Sequence, residues 1–270
     1  MTPDIHPIDV WPWLGVREPF CSLSHYLGAG VFAGLTIPLI RQGRGDPVRV
    51  AGLATFGIAT VILLLLSGTY HIFWPGPLRE FFLRADVAAV FLLIAGSMTP
   101  VHTILFTGLA RWGALALIWF VAVTGILWRL LFCGTSPGVT GIAFFLLFGW
   151  GSVFSAIVLW RRYGWKFVKP AVLSGLSYTI GAIVLIRRDP ALVPGLIGSH
   201  EIWHVAVLCG LALHWQFVSQ FACGHGPAEI RRPSLTVKEN DYGNSEPFCD
   251  QSASLDASRG DQSDYEKSDC

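Results

Sequence analysis

Three short stretches of this 270-residue chain carry side chains able to do chemistry. The run Ser67-Gly-Thr-Tyr-His71 sets a hydroxyl and an imidazole four residues apart, so on a helix they share one face. A short way further on comes Asp86. Near the other end, His200-Glu-Ile-Trp-His204 repeats the four-residue spacing with two imidazoles, which lets one helix present two nitrogens to a single metal ion. Together His71, His200 and His204 would supply three metal ligands and leave a fourth position for water. That is the open arrangement of a catalytic zinc rather than a closed structural one. Asp86 could take a proton from the water or orient it, and Ser67 could hydrogen-bond a ligand or an oxyanion. The bland alternative is that each histidine bonds a neighbouring helix, since pairs at this spacing also arise by chance.

These residues have to be positioned by hydrophobic helices. The chain is 53% hydrophobic and only 14% charged, against about 25% charged in ordinary soluble domains. Eleven tryptophans suit a membrane–water interface. Seven stretches are long and apolar enough to span a bilayer, at about 20 residues each. They run over Ser22–Ile40, Val50–Trp74, Ala85–Leu109, Trp112–Phe132, Pro137–Trp160, Pro170–Ile186 and Gly198–Cys223, the sixth being the shortest. A soluble bundle would need polar faces that these stretches lack. The expected fold is therefore an all-α membrane protein, a seven-transmembrane-helix bundle with a metal site near one membrane face.

Alternation of the spans makes the chemistry converge. The end of span two and the starts of spans three and seven fall on the same side of the bilayer as the N-terminus, so His71, Asp86, His200 and His204 should meet there. Glu18 and the Ser24-His25 pair lie on that face too and are expected at the rim of the site or behind its ligands. Glu201 should point away from the His200/His204 face. His214, ten residues beyond His204, is deeper by about 15 Å and should bond another helix, while His102 reads as structural.

Three segments are expected: residues 1–21, an N-terminal stretch that does not read as a cleaved signal peptide; the transmembrane domain, 22–224; and a polar tail, 225–270. From Pro227 onward the tail holds ten acidic and five basic residues and no sustained apolar period, a composition expected to stay disordered. The six cysteines show no CxxC spacing, which argues against a zinc ribbon. Nothing in the charge pattern points to nucleic acid, and the oligomeric state is not legible.

The run Glu18-Pro…Ser24-His25, the Ser67-x3-His71 ending, Arg84-x-Asp86 followed by FLLIAGSMTP, and the closing HEIWHVAVLCGLALHW resemble the hemolysin III family, a group with the progestin and adiponectin receptors and, more distantly, the alkaline ceramidases. The resemblance runs from Glu18 to Phe221. It implies a seven-helix fold with zinc held by three histidines, here His71, His200 and His204, with Asp86 and Ser67 matching the family's acid and serine. It also implies possible hydrolysis of ceramide-like lipid amides, as in some relatives.

Basic residues are more numerous in the joints after spans one, three and five, which places the N-terminus outside by the positive-inside rule. The receptor branch implies the opposite, and the orientation stays open. The leading expectation is a zinc-dependent hydrolase of a lipid amide or ester in the plasma membrane, with a membrane lipid as substrate. A receptor or sensor with structural zinc is the alternative, and a pore-forming hemolysin-like channel the second alternative, although spans four to six lack the polar stripe that a pore requires.

Overall fold

A computed structural model describes residues 15–132, 138–188, 192–193 and 197–224 of the chain. Residues 1–14 of the expected N-terminal segment and the expected polar tail, 225–270, lie outside the described residues. Among the described residues the structure is built from α1 (Pro19–Gln42), α2 (Pro47–Tyr70), α3 (Pro77–Leu105), α4 (Gly108–Leu131), α5 (Gly138–Trp150), α6 (Val153–Tyr163), α7 (Trp165–Arg187) and α8 (Ser199–Ser219). There is no strand among these residues, only an isolated bridge between Val193 and Ile197.

Seven of these segments are long and apolar enough to cross a membrane: α1 to α4, the stretch Gly141–Tyr163 made by α5 and α6 together, α7 and α8. Their outer faces are apolar as well. Leu27, Leu117, Phe120 and Phe154 are each more than 60% exposed, an arrangement that suits lipid and not water. The protein is an all-α, seven-transmembrane-helix membrane protein.

Local chemistry explains where the helices begin. Pro19, Pro47 and Pro77 open α1, α2 and α3, where a residue without an N–H costs no intrahelical hydrogen bond and its fixed φ already suits the helix. Asp46 caps α2, accepting hydrogen bonds from the backbone N–H groups of Val48 (2.8 Å) and Arg49 (3.2 Å). At Gly164, φ is +86°, a left-handed conformation that lets the chain turn from α6 into α7 without the strain a side chain would add.

The third, fifth and sixth spans differ most from the sequence expectation. The third begins at Pro77 rather than Ala85, because Arg79 turns inward and finds partners instead of forming a solvated loop. Asp86 consequently sits in the third turn of α3, not at its start. The fifth span is broken between Trp150 and Val153, at Gly151 and Ser152. The sixth, α7, starts at Trp165 and carries Pro170 inside it, so the last span, at 21 residues, is the shortest.

The core is formed chiefly by α1, α2, α3, α7 and α8, with Phe56, Leu53, Leu64, Leu211 and Phe221 almost fully buried. Small residues set the closest approaches. A Cβ on Gly96 of α3 would lie 2.6 Å from the Cβ of Ala59 on α2, and one on Gly181 of α7 would lie 2.5 Å from that of Ala206 on α8. This is the small-residue contact by which membrane helices pack backbone to backbone.

Candidate metal centre

The predicted ligands meet at one end of the bundle. His71 follows the last residue of α2 and keeps a helical backbone conformation, its N–H bonded to the Ser67 carbonyl oxygen at 3.2 Å. His200 and His204 lie one turn apart at the start of α8. The ring centroids are 5.1 Å apart for His71 and His200, 4.6 Å for His71 and His204, and 4.9 Å for His200 and His204.

A fourth group that the sequence reading overlooked joins them. Cys21, in the first turn of α1, brings its Sγ into the cluster, and one donor atom from each of Cys21, His71, His200 and His204 lies within 4.8 Å of the others. Cys21, His71 and His204 are at most 2% exposed. The available signal was the spacing of Cys21 and His25, four residues apart on α1, the same helical-face rule that drew attention to His71.

The surrounding hydrogen bonds orient the rings. Glu18, which precedes α1, faces Nδ1 of His71 through its Oε2. Nδ1 of His204 lies 2.7 Å from Nε2 of His25. In both rings Nε2 is left as the nitrogen for a ligand, and outer partners on the other nitrogen are what metal-binding histidines ordinarily have. His200 contributes a further observation: its Nε2 is shut off from solvent with no hydrogen-bond partner. A buried polar atom is costly when unsatisfied, and a metal ion would supply the missing partner. Imidazole and thiol donors are the set that zinc and related transition ions accept. The four residues therefore form a group that could hold a metal ion.

Glu18 is held from several sides. Its Oε1 bonds Arg79 Nη2 at 3.0 Å and pairs with Arg17 at 3.3 Å. Burial pushes its carboxyl up, but the His71 hydrogen bond and the neighbouring His71 and Arg79 charges outweigh that and hold it at about 2. Arg79 in turn donates to the carbonyl oxygens of Phe73 (2.7 Å) and Tyr70 (3.3 Å) and to the Tyr70 hydroxyl (2.9 Å). It fastens the chain between α2 and α3 beneath the site.

Ser67 and Asp86 form a pair of their own. Ser67 lies one turn below His71 on α2, with its hydroxyl near enough to the Asp86 carboxyl of α3 to act on it. The buried Arg129 of α4 is close enough for its charge to act on the Asp86 carboxyl, a neighbour the sequence did not indicate. Asp86 is not one of the clustered donors. Below this layer a cavity of about 220 Å³ opens between α2, α3, α5, α6, α7 and α8. On α2 and α3 its wall begins with Leu63 and Val90, one turn deeper than Ser67 and Asp86, and on α8 it runs from Trp203, next to His204, to Val207 and beyond.

The remaining candidates are not among the clustered donors, although Glu201 touches one of them. Glu201 points back toward α1, with Oε1 accepting from Cys21 Sγ at 3.4 Å and Oε2 from the N–H of Gly198 at 2.8 Å. Ser24 bonds only within α1, to the Cys21 carbonyl oxygen at 3.1 Å. His214 reaches the Ser97 carbonyl oxygen on α3 at 3.1 Å. His102 lies between the Ala110 carbonyl oxygen (2.9 Å) and the Ser155 hydroxyl (3.2 Å). Both are helix-to-helix contacts, away from the cluster.

Seven spans and a His/Cys cluster at one end of the bundle define a multi-pass membrane protein with a potential metal centre. Within that class the chain belongs to the haemolysin-III related family, whose model matches residues 15–215. It is similar to Hemolysin-3 of Bacillus cereus, 26% identical over 201 residues that cover 73% of this chain and 89% of that protein. It is also similar to a Hemolysin-3 homolog of Bacillus subtilis (strain 168), 24% identical over 197 residues, 71% of this chain and 89% of the relative.

Proposed function

We propose that this protein is a zinc-dependent hydrolase of the plasma membrane that cleaves an amide or ester bond of a membrane lipid. The observation that carries the reading is the stacking of three layers: His71, His200 and His204 at the end of the bundle, the Ser67–Asp86 pair one turn deeper, and an apolar cavity beginning one turn below that. Zinc held by the three histidines would supply Lewis-acid polarisation of a carbonyl and a lowered pKa for water. Asp86 accepts the proton of the attacking water and returns it to the departing amine or alcohol. Ser67 donates through its hydroxyl, either keeping Asp86 oriented or bonding the developing oxyanion. The apolar walls around Leu63, Val90 and Val207 receive an acyl chain and keep bulk water out.

The test is metal content by mass spectrometry of the detergent-purified protein, beside His71→Ala and His200→Ala, followed by product release from lipid amides and esters. About one zinc per chain, lost in both variants, together with hydrolysis, supports the proposal. Stoichiometric zinc with no lipid consumed would move the protein to a second reading, a receptor or sensor with structural zinc. One observation favours that second reading: the cluster joins α8, the last helix, to α1 and α2 at the other end of the chain.

A further inference from the structure

We propose that Cys21 is a fourth metal ligand, so that the resting centre is a closed site of one thiolate and three imidazoles that has to release Cys21 before a lipid can be hydrolysed. The inference rests on the reading of His71, His200 and His204 as metal ligands and adds a regulatory feature to it.

Cys21 is a free thiol with no exposed surface. Its Sγ lies in the same 4.8 Å group of donors as one nitrogen from each of the three histidines, and His200 Nε2 is shut off from solvent and unpartnered. The Sγ also has an acceptor in place, because Glu201 Oε1 stands 3.4 Å away. Glu201 itself is anchored at the start of α8 by the Gly198 N–H. On ligation the S–H bond of Cys21 breaks, its proton passes to the Glu201 carboxylate, and the sulfur lone pair forms the bond to the metal. No electron changes hands.

Four protein donors complete a tetrahedral sphere, and completed spheres belong to structural zinc, whereas catalytic sites keep one position open. Three imidazoles alone would leave that position to water or a substrate carbonyl. With Cys21 bound it is taken. Because Cys21 arrives from α1, and the other three donors from α2 and α8, a turn of the Cys21 side chain alone would open the centre and leave Glu18 on His71 and His25 on His204. The protein is then latent at rest and becomes a hydrolase when the thiolate leaves.

The full-length protein in detergent, loaded with cobalt in place of zinc, reads this directly. A thiolate on cobalt gives an intense near-ultraviolet charge-transfer absorption that imidazole does not. The wild type should show it at about one cobalt per chain. Cys21→Ala should keep the cobalt through its three histidines and lose the band. X-ray absorption at the zinc edge of the wild type needs no variant and should resolve one sulfur at about 2.3 Å. A zinc shell of nitrogen and oxygen alone, or a cobalt band undiminished in Cys21→Ala, overturns the inference. Lipid turnover separates it from the reading beneath. Sulfur ligation with no hydrolysis in either wild type or Cys21→Ala leaves Cys21 as a ligand and removes the hydrolase. Hydrolysis by a wild type whose zinc carries no sulfur keeps the hydrolase and removes the closed centre.

Discussion

Glu18 and His71 are 53 residues apart, yet the Glu18 carboxylate engages Nδ1 of the imidazole while their backbones also pair, the Glu18 N–H donating to the His71 carbonyl oxygen at 3.1 Å. The entry to α1 and the exit from α2 are thus locked together by main chain and side chain at once. A carboxylate in this position fixes the ring orientation and makes the opposite nitrogen a better donor.

Replacing Glu18 by Gln keeps the size and most of the packing but removes the charge facing His71 and Arg79. Metal affinity should fall by about 10- to 100-fold, the usual consequence of removing such an outer partner. Competition against a chelator of known affinity measures this, and an unchanged dissociation constant would show that Glu18 serves only to anchor Arg79.

Asp86→Asn should leave metal content intact, because Asp86 is outside the group of clustered donors. On the hydrolase reading, turnover of the lipid should drop by about a hundred- to ten-thousand-fold. Retained zinc with unaltered turnover rules out Asp86 as the proton acceptor.

Asp46 supplies a pH-dependent contribution on the opposite side of the bundle. Its carboxylate is held below the ordinary 3.8, chiefly by the Arg49 backbone N–H, with the Val48 N–H and the Arg49 charge adding to it against an opposing effect of desolvation. A group whose pKa is lowered on folding stabilises above its unfolded value and loses that contribution as pH falls through the folded one. Asp46→Ala should therefore melt at a lower temperature than wild type at neutral pH, with the gap closing below the carboxylate range. Thermal melts at several pH values decide it, and a gap that persists in acid would assign the loss to something other than the ionised cap.

Gly96→Val tests the contact between α2 and α3. Its Cβ would fall 2.6 Å from the Cβ of Ala59 and 3.4 Å from the Thr55 carbonyl oxygen, so the helices must separate. The expected cost is about 1–3 kcal/mol, read as a lower melting temperature in detergent with metal binding retained, since the site lies at the end of the bundle. A melting temperature equal to that of wild type would mean that the helices separate freely at this point.

Much of the protein could be read from one dimension, because the properties involved are local. Twenty consecutive apolar residues have few ways to satisfy their backbone other than a membrane helix, so the seven spans follow from hydropathy. Four-residue spacing puts His200 and His204 on one face of α8 whatever surrounds them. Alternation of the spans then brings His71 to the same side of the bilayer.

What the tertiary structure decided depends on contacts between residues distant in the chain. Arg79 looks like a loop charge in sequence, and only its inward bonds to Glu18, Tyr70 and Phe73 explain why α3 begins at Pro77 and buries it. The same extension moves Asp86 down to meet Ser67. Cys21 and Glu201 are separated by 180 residues, and no periodicity links them. Their meeting, and with it the fourth donor, is set by how closely the start of α1 approaches that of α8, a distance controlled by packing between helices and absent from the pattern within either one.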